Sequence, residues 1–328
     1  MTVELKWADI EDFDKIIKDL WTKSEYLIWL DLNTIRSRTL IGNYSIVLVD
    51  NKGRFETRRK PPTFIKLTQE FSEDGFNFNK IQSKERMLTI SHLDMQIPKD
   101  NLEIVINVSP IFKYHSLIIP YPLENKPQIM DQFSLRIILD IAMKSADPNM
   151  VIIGNSLLAH ATVNHLHFHL LYPEFSPACS RAEGDHPFIS TCRELIGYFF
   201  QGFLMVVTND NVNAVKSDLV MIIEVLIQKD IPHNIVFCKR HDKATLVLVF
   251  PRNSTVHMQK SHGKPCEHKV PFFVAACELA GIIPVTDGFD DLTESDCVSI
   301  VKESMLDDII YKEIIQDIKI IITKASTC

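Results

Sequence analysis

The sequence predicts an α+β fold, and three observations support this. Short β-branched runs recur between turn residues, some of them lie close enough to pair as hairpins, and separate stretches carry apolar residues at helical spacing. With 328 residues, 46% hydrophobic and 23% charged, the chain is long enough for one large domain or two ordinary ones with a sizeable core.

Residues 1–25 read as an amphipathic helix ending near Trp21, and Ser45-Ile-Val-Leu-Val49 reads as a strand. The segment 52–85 is mostly polar and loop-like, and the two prolines of Arg58-Arg59-Lys60-Pro61-Pro62 forbid a regular helix at its centre. Leu102 to Val108 and His115 to Pro120 are strands whose spacing fits a hairpin. Leu135, Ile138, Leu139 and Ala142 mark one face of a helix over 133–146. Residues 151–154 and 162–172 are further strands.

After residue 205 the pattern is independent of this unit, so the chain divides into 1–205, which carries the motifs below, and 206–328. Ser217 is the expected N-cap of a helix bearing Leu219, Ile222, Ile223 and Leu226. Residues 234–238 and 244–250 pair around the polar tip 239–243. A short helix over 271–280 closes at Gly281, and 307–322 forms an apolar final helix.

The net charge of −7 weakly disfavours a general nucleic-acid binder, which needs a Lys/Arg surplus to neutralise phosphates. No run approaches the roughly 18–20 apolar residues of a membrane span, and the polar, mixed-charge start does not read as a signal peptide. Seven cysteines without regular spacing fit reduced thiols in a cytoplasmic protein.

The most informative run is Asn164-His165-Leu166-His167-Phe168-His169-Leu170-Leu171. With the period of two of a strand, His165, His167 and His169 share one face, and Leu166, Phe168 and Leu170 face the core. One imidazole can attack, while the others fix a tautomer, donate to phosphate oxygens or protonate a leaving group. A metal site is the rival reading, since imidazole is a common ligand. No carboxylate or cysteine lies near in sequence to complete it, and no metal or cofactor is expected.

This run resembles the histidine-triad signature His-φ-His-φ-His-φ-φ at every position. The longer stretch from Gly154-Asn-Ser-Leu157 through Val163-Asn-His-Leu-His-Phe168 resembles the GDP-hexose phosphorylases, the plant GDP-L-galactose and animal GDP-D-glucose enzymes. Phe76-Asn77-Phe78-Asn79-Lys80 resembles their Phe-Asn-Phe-Thr-Lys. Asn107-Val-Ser-Pro110 with His115-Ser-Leu-Ile-Ile-Pro120, and Ile231-Pro-His-Asn234, match further segments.

The resemblance implies a histidine-triad-like antiparallel sheet with packed helices and a C-terminal α+β region completing it. It also implies a ping-pong reaction. His167 attacks the α-phosphorus of a GDP-hexose, hexose 1-phosphate leaves, and inorganic phosphate releases GDP. Asn155, Ser156, His165 and His169 are expected donors to the phosphates. Asn164 is expected to fix the strand entry, and His115 to stand as a fourth ring near them. Asn77, Lys80 and Arg59 are further candidate substrate contacts. A histidine-triad hydrolase and an inactive nucleotide-binding regulator are the alternatives.

Three positions depart from the family pattern. Tyr114 replaces a usual glycine and is expected to crowd the phosphate pocket. Gln201 replaces an arginine that would donate to phosphate in bidentate fashion. His160 stands where a small or aromatic residue is usual. His169 occupies a position where plant members have Gln, and an ionisable ring there favours water as a competing acceptor. His257, His262, Cys266 and His268 match no standard zinc spacing and read as a polar loop.

Overall fold

The computed structural model describes residues 2–24, 32–51, 53–54, 64–91, 101–254 and 271–326. Arg59, Lys60 and the cluster His257, His262, Cys266 and His268 lie outside the described residues.

In chain order the elements are β1 (Val3–Lys6), α1 (Phe13–Thr22), β2 (Arg36–Thr39), β3 (Val47–Asp50), β4 (Arg86–Ser91), β5 (Leu102–Ile106) and β6 (Ser116–Pro120). Next come α2 (Gln132–Lys144), β7 (Val151–Asn155), β8 (Phe168–Leu171), β9 (Glu183–Ile189), β10 (Cys192–Ile196) and β11 (Phe203–Val207). The last are α3 (Val212–Gln228), β12 (His233–Lys239), β13 (Thr245–Pro251), α4 (Ala276–Leu279), β14 (Ile282–Val285), α5 (Glu294–Lys302) and α6 (Asp308–Ser326).

An eleven-stranded sheet runs in the order β1-β4-β5-β6-β8-β7-β12-β13-β11-β10-β9. It is antiparallel throughout except for the parallel pair β1–β4. The expected hairpins β5–β6 and β12–β13 both form. One face of the sheet packs against α1, α2, α3 and α6 through Phe13, Ile138, Leu219 and Ile318. The other face meets a small sheet, β14-β3-β2, together with α4 and α5. With both faces covered, β12 and β13 are buried at every position, so their apolar runs do not alternate with polar residues.

The N-terminal expectation needs correction. Residues 3–6 form β1 rather than helix, and α1 begins only after Asp12, whose side chain accepts from Lys15 N at 3.0 Å. Val3 and Leu5 alternate with Glu4 and Lys6, which suits an edge strand paired with β4. Ser217 lies inside α3, not at its cap. The helix starts after Asn211, which closes a turn by accepting from Thr208 N and donating to Val206 O, and Val215 already belongs to the buried face. Helix is confined to 276–279 within the expected 271–280, with Gly281 beyond it at φ +84°. Among the described residues no helix is long and apolar enough to cross a membrane.

Strand β8 begins at Phe168, six residues later than expected. An intervening segment accounts for this. The β6–β8 ladder stops at Ile118–Phe168 and the β7–β8 ladder at Ile153–His169, although β6 runs on to Pro120 and β7 to Asn155, so the chain from 164 to 167 leaves both ladders. It bonds instead to the segment 126–128. Leu166 N donates to Lys126 O at 2.9 Å, and His167 N donates to Gln128 Oε1 at 3.0 Å. The side-chain alternation survives, and Leu166, Phe168 and Leu170 are fully buried on the helix-covered face.

Candidate active site

Opposite those three residues, the histidines gather at one end of the sheet. The rings of His167 and His169 are 5.4 Å apart, and those of His169 and His115 are 5.3 Å apart. Phe78 packs against His165 at 5.5 Å and His167 at 5.0 Å.

Fixed backbone groups set the tautomers. His167 Nδ1 lies 2.8 Å from His165 O, which can only accept, so the proton sits on Nδ1 and Nε2 keeps its lone pair. Burial pushes the His167 ring down to about 4, so it is neutral at pH 7. The other rings run the opposite way. Ile111 N donates to His115 Nδ1 at 2.9 Å, which leaves the His115 proton on Nε2, 3.0 Å from His169 Nδ1. His169 thereby carries its own proton on Nε2. Burial holds His115 well below the usual range, with smaller contributions from His169 and Arg54. Phe78 N donates to His165 Nδ1 at 3.1 Å, and burial together with His167 lowers the His165 ring to about 4. The buried His165 Nε2 meets no partner atom.

His167 and His169 open onto a cavity of about 1040 Å³, a volume that includes open solvent. Its lining includes Arg54, Asn107, Ser109 and Asn155, and Phe272, Phe273, Cys277 and Glu278 from the C-terminal half. Asn155 Oδ1 accepts from Asn234 Nδ2 at 2.7 Å and Ala276 N at 2.9 Å, so its amide nitrogen is the end available to the cavity. The fully buried Arg252 donates to Val274 O and Asn234 Oδ1, tying the segment that carries Phe272 and Phe273 to β12. Among the described residues no three His, Cys, Asp or Glu side chains converge to hold a metal ion.

The remaining expected site residues sit as follows. Ser156 Oγ accepts from His233 N at 2.9 Å and does not line the cavity. Asn164 accepts from Gln128 N and donates to Gln69 O and Glu70 O, tying the entry to the triad segment. Asn77 is buried and caps the turn 78–80 through Asn79 N. Lys80 donates to Gly75 O and Glu73 O on the surface, away from the cavity wall.

Tyr114 does not crowd the pocket. It adopts φ +66°, the left-handed region that suits the glycine usual at this position, and its ring packs edge-on against Trp21 at 5.5 Å. Gln201 donates to Leu306 O at 3.3 Å and is absent from the cavity wall. His160, also left-handed at φ +75°, stacks on the half-exposed Phe273 at the rim. Sequence reasoning missed Arg54, Gln128, Asn107 and Glu278. Asn107 lies in the Asn107-Val-Ser-Pro110 segment that matches the family, a signal that could have found it; the other three reach the site through tertiary folding, without a local pattern to announce them.

The GDPGP1-like N-terminal domain model matches residues 12–171, and the GDPGP1-like C-terminal domain model matches 189–325. The GDP-D-glucose phosphorylase 1 of Danio rerio is 27% identical over 311 residues, covering 90% of this chain and 87% of that protein. That of Homo sapiens is 27% identical over 84% of this chain and 74% of its own length. The GDP-L-galactose phosphorylase 1 of Arabidopsis thaliana is 34% identical over 43% of this chain and 35% of its own. Among solved structures, yeast Ap4A phosphorylase Apa2 in complex with Ap4A shares the fold. Its TM-score is 0.61 at 13% identity, over 90% of this chain and 98% of that one.

Proposed function

The chain belongs to the GDPGP1-like family, and on that premise we propose that it is a GDP-hexose phosphorylase working through a covalent GMP–His167 intermediate. The guanine base and the hexose come from the relatives' names. The observation that carries the chemistry is the 2.8 Å contact between His167 Nδ1 and His165 O in a buried, neutral ring beside the cavity.

His167 Nε2 attacks the α-phosphorus. The P–N bond forms as the P–O bond to the β-phosphate side breaks, and the electron pair leaves with hexose 1-phosphate. The ring becomes positively charged, and the His165 carbonyl stabilises its Nδ1–H. His169 Nε2–H, Asn155 and Arg54 donate to the oxygens on which charge develops. Inorganic phosphate then attacks the same phosphorus, releasing GDP and restoring the imidazole.

The deciding experiment screens nucleoside diphosphate sugars with and without phosphate, for wild type and His167→Ala. The expected result is phosphate-dependent release of GDP and hexose 1-phosphate, almost abolished in the variant. Wild-type turnover by His167→Ala would overturn the assignment. The proton carried by His169 favours a second reading, hydrolysis, in which turnover is independent of phosphate and GMP accumulates.

A further inference from the structure

We propose that Gln128 is a positioning residue that holds the triad strand open, setting the gap between the nucleophile His167 and the donor Asn155. The inference rests on the reading of His167 as nucleophile. The register of β7 and β8 pairs Val151 with Leu171, Ile152 with Leu170 and Ile153 with His169. Continued by two residues, it would set Asn155 opposite His167 and close the ladder there. Instead the Gln128 carboxamide occupies the gap. Its Oε1 accepts from His167 N at 3.0 Å, and its Nε2 donates to His167 O at 3.1 Å and Asn155 O at 3.0 Å.

The side chain thus behaves as a single peptide unit of an absent strand, satisfying both sides of the split. Gln128 is only 1% exposed, and its own backbone N donates to Asn164 Oδ1 at 2.8 Å. Both ends of the side-chain amide bear on this one opening, and Gln128 does not line the cavity. A regular ladder at this point would draw the two backbones together and fill the space that a phosphoryl group needs between His167 Nε2 and the Asn155 amide.

Chemistry makes the role testable. Protonated, the carboxyl group of Gln128→Glu has one donor and one acceptor and reproduces most of the amide's bonds. Ionised, it faces two carbonyl oxygens and repels them. The kcat of Gln128→Glu relative to wild type should therefore rise as pH falls from 8 to 6. Gln128→Met, similar in volume and unable to donate, should lose roughly 100-fold in kcat with KM for the sugar nucleotide changed less than about threefold, the scale of a misplaced reacting group. Thermal melts establish that both variants fold. A kcat ratio for Gln128→Glu that is flat with pH, or wild-type kcat in Gln128→Met, would overturn the proposal.

A failure of the nucleophile reading itself is recognised separately, because wild type would then turn over no nucleoside diphosphate sugar, with or without phosphate. In that event the 15N resonances of the His167 ring carry the test. Wild type should show a single tautomer protonated at Nδ1, and Gln128→Met a mixture. An unchanged tautomer in the variant would overturn the positioning role.

Discussion

Lowering the pH from 7 to 5 should unfold this protein far more readily than its carboxylates alone would dictate. His165, His167 and His233 are buried rings held down to about 4 by desolvation, against 6.5 when exposed. In the window between those values the unfolded chain binds protons and the folded chain does not, so stability falls as pH falls. For one such ring the linkage gives a loss of about 1.8 kcal/mol between pH 7 and 5, or about 5.5 kcal/mol for the three. His115, lowered well below the usual range, adds to the loss in the same direction. This is comparable with the whole stability of an ordinary domain, about 5–15 kcal/mol. Urea titrations followed by tryptophan fluorescence at pH 5, 6, 7 and 8 measure it directly. Replacing His233 by glutamine, which keeps polarity without titrating, should remove about one proton from the uptake near pH 5. A total change below about 2 kcal/mol between pH 7 and 5 would refute the picture of buried neutral rings.

Other outcomes follow from single contacts. Gly154→Ala puts a Cβ within 2.9 Å of Ile235, Phe168 and Met130, so overpacking should cost about 1–3 kcal/mol in chemical denaturation. Asp14→Ala strands the Tyr172 and Ser145 hydroxyls and the N–H groups of Ala146 and Asp147, all of which the carboxylate now accepts from. The loss should be about 3–5 kcal/mol, visible as a large fall in Tm with no change of catalytic mechanism. Arg54→Ala removes a cation from the cavity wall and should lower kcat/KM about 100-fold, with Arg54→Lys only partly restoring it. A loss below threefold would remove Arg54 from the reaction.

The legibility of the sequence divided along physical lines. Alternation of three histidines with Leu166, Phe168 and Leu170 is a local pattern, and the three apolar side chains are fully buried as expected. The apolar runs of β12 and β13 were equally readable, because burial on both faces leaves no ambiguity about composition. The extent of β8 was not readable. Both neighbours run on past its start, to Pro120 and Asn155, and the ladder is broken by the segment 126–128, which comes from another part of the chain. Gln128 carries no pattern of its own, since glutamine in a loop is unremarkable until three backbone partners surround it. Lys80 shows the converse: membership in a recognisable motif gave it weight, yet its amine caps surface carbonyls and the motif's contribution comes from Phe78.

The lining of the cavity comes from distant stretches of chain. Reactive imidazoles stand on residues before 172, while Phe272, Phe273, Cys277 and Glu278 join the same cavity from more than a hundred positions downstream. Selectivity can therefore drift by exchange of the downstream lining side chains, with the phosphorus chemistry left intact. A lineage built this way would inherit one reaction and acquire new sugars or bases cheaply. Low identity to relatives, spread along most of the chain, is compatible with that history.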